Sequence, residues 1–318
     1  MEKTAEFVSP KHPDKICDQI SDAILDACLK QDEFSRVAIE TMGGHGIVTV
    51  TGELTTNAFV EIKDIVKEVV GKEIGVQTNI VKQSNEISRG VDTGGAGDQG
   101  IMVGYACNET KDFMPREYDL ARSLCKYIYN TFPYDGKTQI TLDDSGKIKT
   151  ILVSFQNANS KKLQLLIKKW LKNNKETAGE ILTNTAGDWV LGGFDADTGV
   201  TGRKIVVDAY GPRVSVGGGA FSGKDTSKVD RSAAYMARKI AVDYLKKYKA
   251  KEVFTKLAYA IGKKEPVMAI AVVDGKEHKI TGYDLTPKGI NIFLKLNKVN
   301  FKSTSMWGHF GREFSWDK

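Results

Sequence analysis

Arg36-Val37-Ala38-Ile39-Glu40-Thr41 alternates apolar and polar residues, Gly43-Gly44-His45-Gly46 turns, and Ile47-Val48-Thr49-Val50-Thr51-Gly52-Glu53-Leu54 alternates back. Period-two patterning on both sides of a glycine-rich turn reads as a β-hairpin. A helix follows it, with Phe59, Ile62, Ile65, Val66 and Val69 on one stripe. The same order returns further on: Thr138–Leu142 and Lys149–Phe155 flank the turn Asp143-Asp144-Ser145-Gly146, ahead of a helix around Leu163–Leu171. It returns again as Val253–Ile261, a turn through Gly262–Pro266, Val267–Val273, and a helix after Thr286. Repeated units set architecture. Three similar strand-hairpin-helix units predict an α+β protein with a pseudo-threefold arrangement. The units divide the chain at 1–94, 95–193 and 194–318. Each sheet is covered by helices on one face only. The other face calls for a second subunit, so the sheets are expected to pack face to face across a dimer.

The composition narrows the function classes. The net charge is +6 over 318 residues. Its densest lysines (Lys161, Lys162, Lys168, Lys169 and Lys172) surround the stripe Leu163, Leu166, Ile167 and Trp170, which describes a solvated helix face rather than a nucleic-acid groove. No apolar run approaches the ~20 residues that span a bilayer. The charged start Met1-Glu2-Lys3-Thr4-Ala5-Glu6-Phe7 lacks the apolar stretch of a signal peptide. A cytoplasmic protein with no membrane partner is expected. Cys17, Cys28, Cys107 and Cys125 match no zinc spacing and read as buried or partly buried free thiols.

Three segments carry chemistry. His12-Pro13-Asp14-Lys15 opens a strong helix, with Ile16, Ile20, Ile24 and Cys28 at helical spacing and an end near Gln31-Asp32. Proline suits the first turn, and a helix N-terminus favours anions. The group reads either as a simple cap or as a phosphate site, where His12 and Lys15 hold phosphate and Asp14 holds a bridging Mg²⁺. Gly95-Ala96-Gly97-Asp98-Gln99-Gly100 fits G-x-G-x-x-G, but Ile101–Tyr105 reads as a strand, not the helix that a dinucleotide site requires. It is better described as a glycine-rich loop presenting Asp98, which can hold a substrate ammonium. Asp197-Thr198-Gly199-Val200-Thr201-Gly202-Arg203-Lys204 leads into an apolar strand, Ile205–Val207. Gly217-Gly218-Gly219-Ala220-Phe221-Ser222-Gly223-Lys224-Asp225 and Ser227-Lys228-Val229-Asp230-Arg231 then precede a helix through Ala233, Met236, Ala237, Ile240 and Ala241. Asp225 stands where a P-loop needs Ser or Thr, which rejects that assignment. Its physics survives: glycines bring backbone N–H groups to phosphate, with Arg203, Lys204, Lys224 and Lys228 beside them.

These segments, with Ala258–Gly262 and Gly308-His309-Phe310-Gly311-Arg312-Glu313, resemble the signature segments of S-adenosylmethionine synthetases (methionine adenosyltransferases), in the same order along the whole chain. The resemblance implies three interlocked domains about a pseudo-threefold, active sites shared between the subunits of a homodimer (in some cases a tetramer), and two Mg²⁺ with one K⁺ per site. The substrates it implies are ATP and L-methionine: sulfur attacks C5′, and the released triphosphate is hydrolysed to pyrophosphate and phosphate. Carried onto this chain, His12 binds the triphosphate near the leaving oxygen, and Lys137, Arg203, Lys204 and Lys224 clamp phosphates. Asp188, Trp189 and Ala220 belong to the ATP site. Asp98 and Asp197 take the methionine ammonium and the ribose, while Glu53, Arg89 and Lys228 line the methionine side. Asp14 and Asp230 each hold Mg²⁺, and Glu40 helps hold K⁺.

The chain departs from the family pattern in places. It is shorter by several tens of residues, mostly between Glu53 and Asp98 and within the central unit. Ser9-Pro10-Lys11 replaces Ser-Glu-Gly, Arg89 replaces a glutamine, and Trp189 after Asp188 replaces a phenylalanine after a basic residue. Trp189 is expected to stack on adenine, the alternative being a core residue beside Val190 and Leu191. Arg89 either grips a substrate anion or points to solvent over a shortened cover. A silent scaffold and an enzyme confined to tripolyphosphate hydrolysis are the competing functions.

Overall fold

Gly44 pairs with Ile47 across a two-residue turn in which His45 (φ 51) and Gly46 (φ 85) are both left-handed, the type I′ geometry that matches strand twist. That turn joins β2 (Arg36–Gly44) to β3 (Ile47–Thr55). The computed structural model describes residues 1–84 and 94–318. Arg89, and with it the expected grip on a substrate anion, lies outside the described residues.

The remaining strands are β1 (Lys3–Val8), β4 (Gly75–Val81), β5 (Gly100–Cys107), β6 (Gly136–Leu142), β7 (Ile148–Phe155), β8 (Ala178–Thr183), β9 (Gly199–Val200), β10 (Glu252–Tyr259), β11 (Met268–Val273) and β12 (Lys276–Lys279). Among the described residues the α-helices are α1 (Pro13–Leu29), α2 (Ile62–Val70), α3 (Arg116–Tyr129), α4 (Ser160–Asn174), α5 (Ile205–Asp208), α6 (Val229–Tyr248), α7 (Pro287–Leu294) and α8 (Phe301–Met306). The described residues form three four-stranded sheets, ordered β4-β3-β2-β9, β8-β7-β6-β1 and β12-β11-β10-β5. The protein is α+β, as the pattern predicts.

Each sheet takes three strands from one stretch of chain and one from elsewhere. β1 joins the sheet of β6–β8, β5 that of β10–β12, and β9 that of β2–β4. In two of the sheets the strand after the helix runs parallel to the hairpin, β4 beside β3 and β8 beside β7. The third instead continues through Asp274 (φ 46) and Gly275 (φ 82), another type I′ turn, into antiparallel β12.

Helices line one face of each sheet: α1 and α2 on the first, α3 and α4 on the second, and α6 on the third with α7 packed against α6. Alternation sets the sides. Val37, Ile39 and Thr41 of β2 are buried under α1, while Glu40 and Met42 face outward. The outward faces keep apolar residues, with Met42 52% and Ile101 51% exposed. All four cysteines are free and buried.

One expectation is corrected. Ile205–Val207 is not a strand but part of the single-turn helix α5, despite three β-branched residues. Lys204 is held by Asp14 and Asp208 by Lys15, adjacent residues of α1. Four residues rise ~6 Å as a helix but ~13 Å as a strand, so only the helical turn brings both ends to neighbouring partners.

Candidate active site

Two glycine- and cation-bearing segments, Asp197–Lys204 and Gly217–Asp230, meet along one edge of β2. At its C-terminal half, Met42 pairs with Val200 and Gly43 with Gly199, and Thr201 N–H donates to Thr41 O at 2.9 Å. At its N-terminal half Ile39 N–H donates to Gly223 O at 3.0 Å, Asp225 N–H to Val37 O at 3.1 Å, and Ala38 bridges Lys224. Gly223 fits only as glycine, because a Cβ there would lie 1.9 Å from Ile39 O at φ +81. The two loops also touch each other, since a Cβ on Gly202 would sit 2.6 Å from the Ala220 methyl.

Helix α1 fastens both loops from behind. Asp14, Asp18, Asp22 and Asp26 stand at i, i+4, i+8 and i+12, one face of a helix. Asp14 Oδ1 accepts from Val200 N (2.9 Å), Asp18 Oδ1 from Gly202 N (2.8 Å), and Asp22 Oδ1 from Gly223 N (2.9 Å). Asp26 caps α8 through Phe301 N and Lys302 N, both 2.9 Å. Ser21 Oγ bridges Thr41 and Thr201 at 2.8 Å each. Beyond Asp14, sequence reasoning missed this ladder, although its i+4 spacing is visible in the chain.

His12 is the N-cap of α1 and is 4% exposed. Asp14 N–H donates to His12 Nδ1 at 3.2 Å, so Nδ1 is the acceptor and Nε2 carries the proton. Burial, with Lys204 and Lys137 nearby, pushes the imidazole down to about 3. The ring is therefore a neutral donor at physiological pH. Burial acts to raise the Asp14 carboxyl, but the hydrogen bonds from Lys204 (2.5 Å) and Val200 hold it below the usual range. Arg203 Nε approaches the same carboxylate at 3.2 Å with its side chain half-exposed. Lys15 is not beside the anion site: its Nζ lies between Asp18 (2.9 Å) and Asp208, and it is 1% exposed.

The second cation group lies further along the β2 edge. Lys224 Nζ is 2.5 Å from Asp230 Oδ2, and Lys228 Nζ is 2.5 Å from Asp225 Oδ2. Asp230 packs on bare backbone, since a Cβ on Gly219 would lie 2.2 Å from its carboxyl carbon. Glu40 and Glu53 share the outward face; burial and then Glu53 raise the Glu40 carboxyl, while Lys224 lowers it. Asp197 stands near enough to His12 to act on its charge, with Oδ1 on Thr198 N at 2.7 Å.

Trp189 is half-buried rather than core, and Val190 and Leu191 beside it are exposed. Its indole N–H donates to Ser154 Oγ at 3.0 Å, and Ser154 pairs directly with Lys137 across β6 and β7. Asp188 is spent on structure, accepting from Ser160 N, Ser160 Oγ and Asn184 at the start of α4. Asp98 is exposed and accepts Gln99 N–H at 2.7 Å, and it makes no hydrogen bond or ion pair with either cation group.

Among the described residues, no three His, Cys, Asp or Glu side chains converge as a metal cage. Asp14 and Asp230 are lone carboxylates among glycine backbones and cations. That donor set suits Mg²⁺, which takes one or two carboxylates and completes its shell with phosphate oxygens and water.

Comparison with known proteins adds the family. Models described as the S-adenosylmethionine synthetase N-terminal, central and C-terminal domains match residues 1–92, 93–186 and 191–318. A curated S-adenosylmethionine synthase of Treponema denticola is 42% identical over 99% of this chain and 95% of its own. Those of Mycoplasmopsis synoviae and Pseudothermotoga lettingae are each 41% identical, over 99% of this chain and 94% and 95% of their own. The alignments run to 370, 365 and 377 positions against 318 residues, so several tens of positions in the relatives have no counterpart here.

Proposed function

The chain belongs to the S-adenosylmethionine synthetase family and makes S-adenosylmethionine from methionine and ATP, and we propose that the edge of β2 is where the triphosphate of ATP lies. The docking of Asp197–Lys204 and Gly217–Asp230 on that edge, with His12–Lys15 joined to the first of them through Asp14, carries this reading. The attacking atom is the substrate's own thioether, which needs no base. As sulfur bonds to C5′, the C5′–O bond breaks and its electron pair stays on the triphosphate. Catalysis is then positioning plus neutralisation of the leaving anion. Lys137, Arg203, Lys204 and Lys224 supply the charge, and His12 Nε2–H donates to the leaving oxygen as a neutral group. The same clamp serves hydrolysis of triphosphate to pyrophosphate and phosphate. Asp197 and Asp98 take the ribose and the methionine ammonium, with Glu53 and Lys228 on the methionine side.

The family is generally metal-dependent. Asp14 and Asp230 are the proposed holders of two Mg²⁺, and Glu40 of K⁺; bound metal lowers the charge of the polyphosphate. Incubation with ATP, Mg²⁺, K⁺ and methionine, read by mass spectrometry, should give S-adenosylmethionine only when methionine and Mg²⁺-ATP are both present. Phosphate release without that product would assign tripolyphosphate hydrolysis instead.

Trp189 is the proposed adenine platform, because its half-exposed ring is anchored beside Lys137. Stacking on a base is worth ~1–3 kcal/mol by alanine substitution. Trp189→Ala should therefore weaken ATP binding more than methionine binding in titration calorimetry. Equal losses for both substrates would favour a packing role.

A homodimer completes the site. Glu40, Glu53 and Lys137 all stand on outward sheet faces, together with exposed Met42 and Ile101. A second copy laid on those faces would cover apolar surface and close the site at once. The interface should exceed the ~1,600 Å² of a standard complex. A monodisperse, active monomer in light scattering would overturn this assembly.

A further inference from the structure

We propose that the cavity between α3 and the C-terminal turn Gly311–Glu313 binds a phosphate-bearing anion of about pyrophosphate size, apart from the active site. The cavity has a volume of about 390 Å³. One wall is the face of α3 that presents Asp119, Arg122, Ser123 and Lys126, another is the C-terminal turn, and Lys111 and Asp112 line the rest.

Arg122 builds the junction. It is buried and donates to Phe310 O (2.6 Å), Gly311 O (3.0 Å) and Asp119 Oδ1 (2.9 Å), tying the turn to the helix. Arg312 spends one nitrogen on the Ser303, Thr304 and Gly308 carbonyls at 2.8, 3.3 and 3.1 Å. It forms no ion pair among the described residues: the Asp317 carboxylate, whose field acts on it, accepts the Arg312 backbone N–H at 3.0 Å and is paired with Arg238 at 2.9 Å. Lys126 has less: its Nζ lies 5.6 Å from the Trp307 ring centroid and makes no hydrogen bond or ion pair among the described residues. Arg312 and Lys126, neither in an ion pair among the described residues, thus sit with exposed Lys111 beside Arg122, whose one acid is already engaged.

The acids nearby do not repair this. Asp119 is committed to Arg122, Glu313 is exposed at the rim, and the Asp112 carboxyl is raised by burial and by Asp119. Burial pushes the Lys126 ammonium down to about 8, with Arg122 on its own helix and Arg312 across the cavity adding to the shift and Asp119 and Asp112 opposing it. Holding like charges together in a half-buried pocket is unfavourable, and a bound oxyanion reverses the sign of that interaction. The location separates this cavity from catalysis: α3 covers the inner face of the sheet, whereas Lys137 stands on the outer face of β6. Free pyrophosphate or phosphate, the products of the proposed reaction, and the phosphate of an organic metabolite share the chemistry the cavity offers.

The test fills the active site with methionine and a non-hydrolysable β,γ-imido ATP analogue, then titrates in pyrophosphate by calorimetry. One further site per chain is expected. Lys126→Met keeps the aliphatic stem on Trp307 and should leave turnover unchanged while weakening this site at least about tenfold, ~1.4 kcal/mol. Lys126→Arg should bind like wild type. As pH rises through 8, wild-type affinity should fall more steeply than that of Lys126→Arg, because binding requires protonated lysine and the arginine stays charged. If AMP binds instead of pyrophosphate and Lys126→Met abolishes it, the site stands and its ligand is an organic phosphate. No binding of either probe once the active site is filled, or equal binding by wild type and Lys126→Met, overturns the proposal.

Discussion

Lys224→Ala is expected to lower the rate of S-adenosylmethionine formation by about 10²–10³, the usual cost of removing one preorganised electrostatic donor. The side chain is 19% exposed and aims its ammonium at Asp230 from a loop pinned to β2. Pinning places the charge before substrate arrives, so little reorganisation opposes it. Removal acts twice: the leaving triphosphate loses a cation, and Asp230 is left with an uncompensated negative charge beside it. The second effect raises the KM for ATP as well as lowering kcat. Stability should barely change, since ion pairs near the surface contribute ~0–1 kcal/mol. His12→Ala should cost the same order by removing the neutral Nε2–H donor. Near-wild-type turnover in both variants would remove the polyphosphate from the β2 edge.

The hairpins and α1 were legible because their signals are local. Period-two alternation, a glycine turn and a proline-led helix start need nothing from distant residues, and all lie close to their expected positions. What escaped was tertiary in origin. β9 is two residues long and exists because Gly199 and Val200 dock on β2 and Asp14. α5 bends against its β-branched composition because both ends are tied to α1. The parallel strands β4 and β8 are short, half-exposed and mixed in polarity, so alternation was weak.

The site divided the same way. That the glycine loops bearing Arg203, Lys204 and Lys224 belong together was readable, because anion-binding chemistry needs glycines and cations side by side, and both loops dock on β2. The placement of Lys15 was not, since a lysine after a helix cap looks the same whether it faces a phosphate or a buried pair of aspartates. The bonds of Asp188 were not legible either: it neighbours the candidate adenine platform, and its carboxylate starts α4. The shortened segment around Arg89 lies outside the described residues.

Asp22→Ala is expected to destabilise the fold by ~3–5 kcal/mol, the cost of breaking a buried ion pair from one side. Asp22 and Arg231 are both fully buried and joined by two hydrogen bonds, at 2.6 and 2.9 Å. Arg231 also donates to Tyr235 Oη (3.0 Å), Lys224 O (3.1 Å) and Thr304 Oγ1 (3.1 Å). Removing the carboxylate leaves a guanidinium without countercharge and strands the Gly223 N–H that Asp22 accepts. A loss of that size is a large part of the ~5–15 kcal/mol that holds a typical domain together. It should appear as a lower urea midpoint with an unchanged slope. Asp22→Leu combined with Arg231→Met should recover much of the stability, because a buried pair replaced by apolar residues of similar size is often neutral. It should not recover activity, since the Gly223–Lys224 turn has then lost its anchor on α1. Stability and catalysis therefore separate in the double variant. A single Asp22→Ala variant that loses under 1 kcal/mol, or a double variant with full turnover, would show that the α1 aspartates do not hold the cation loops in place.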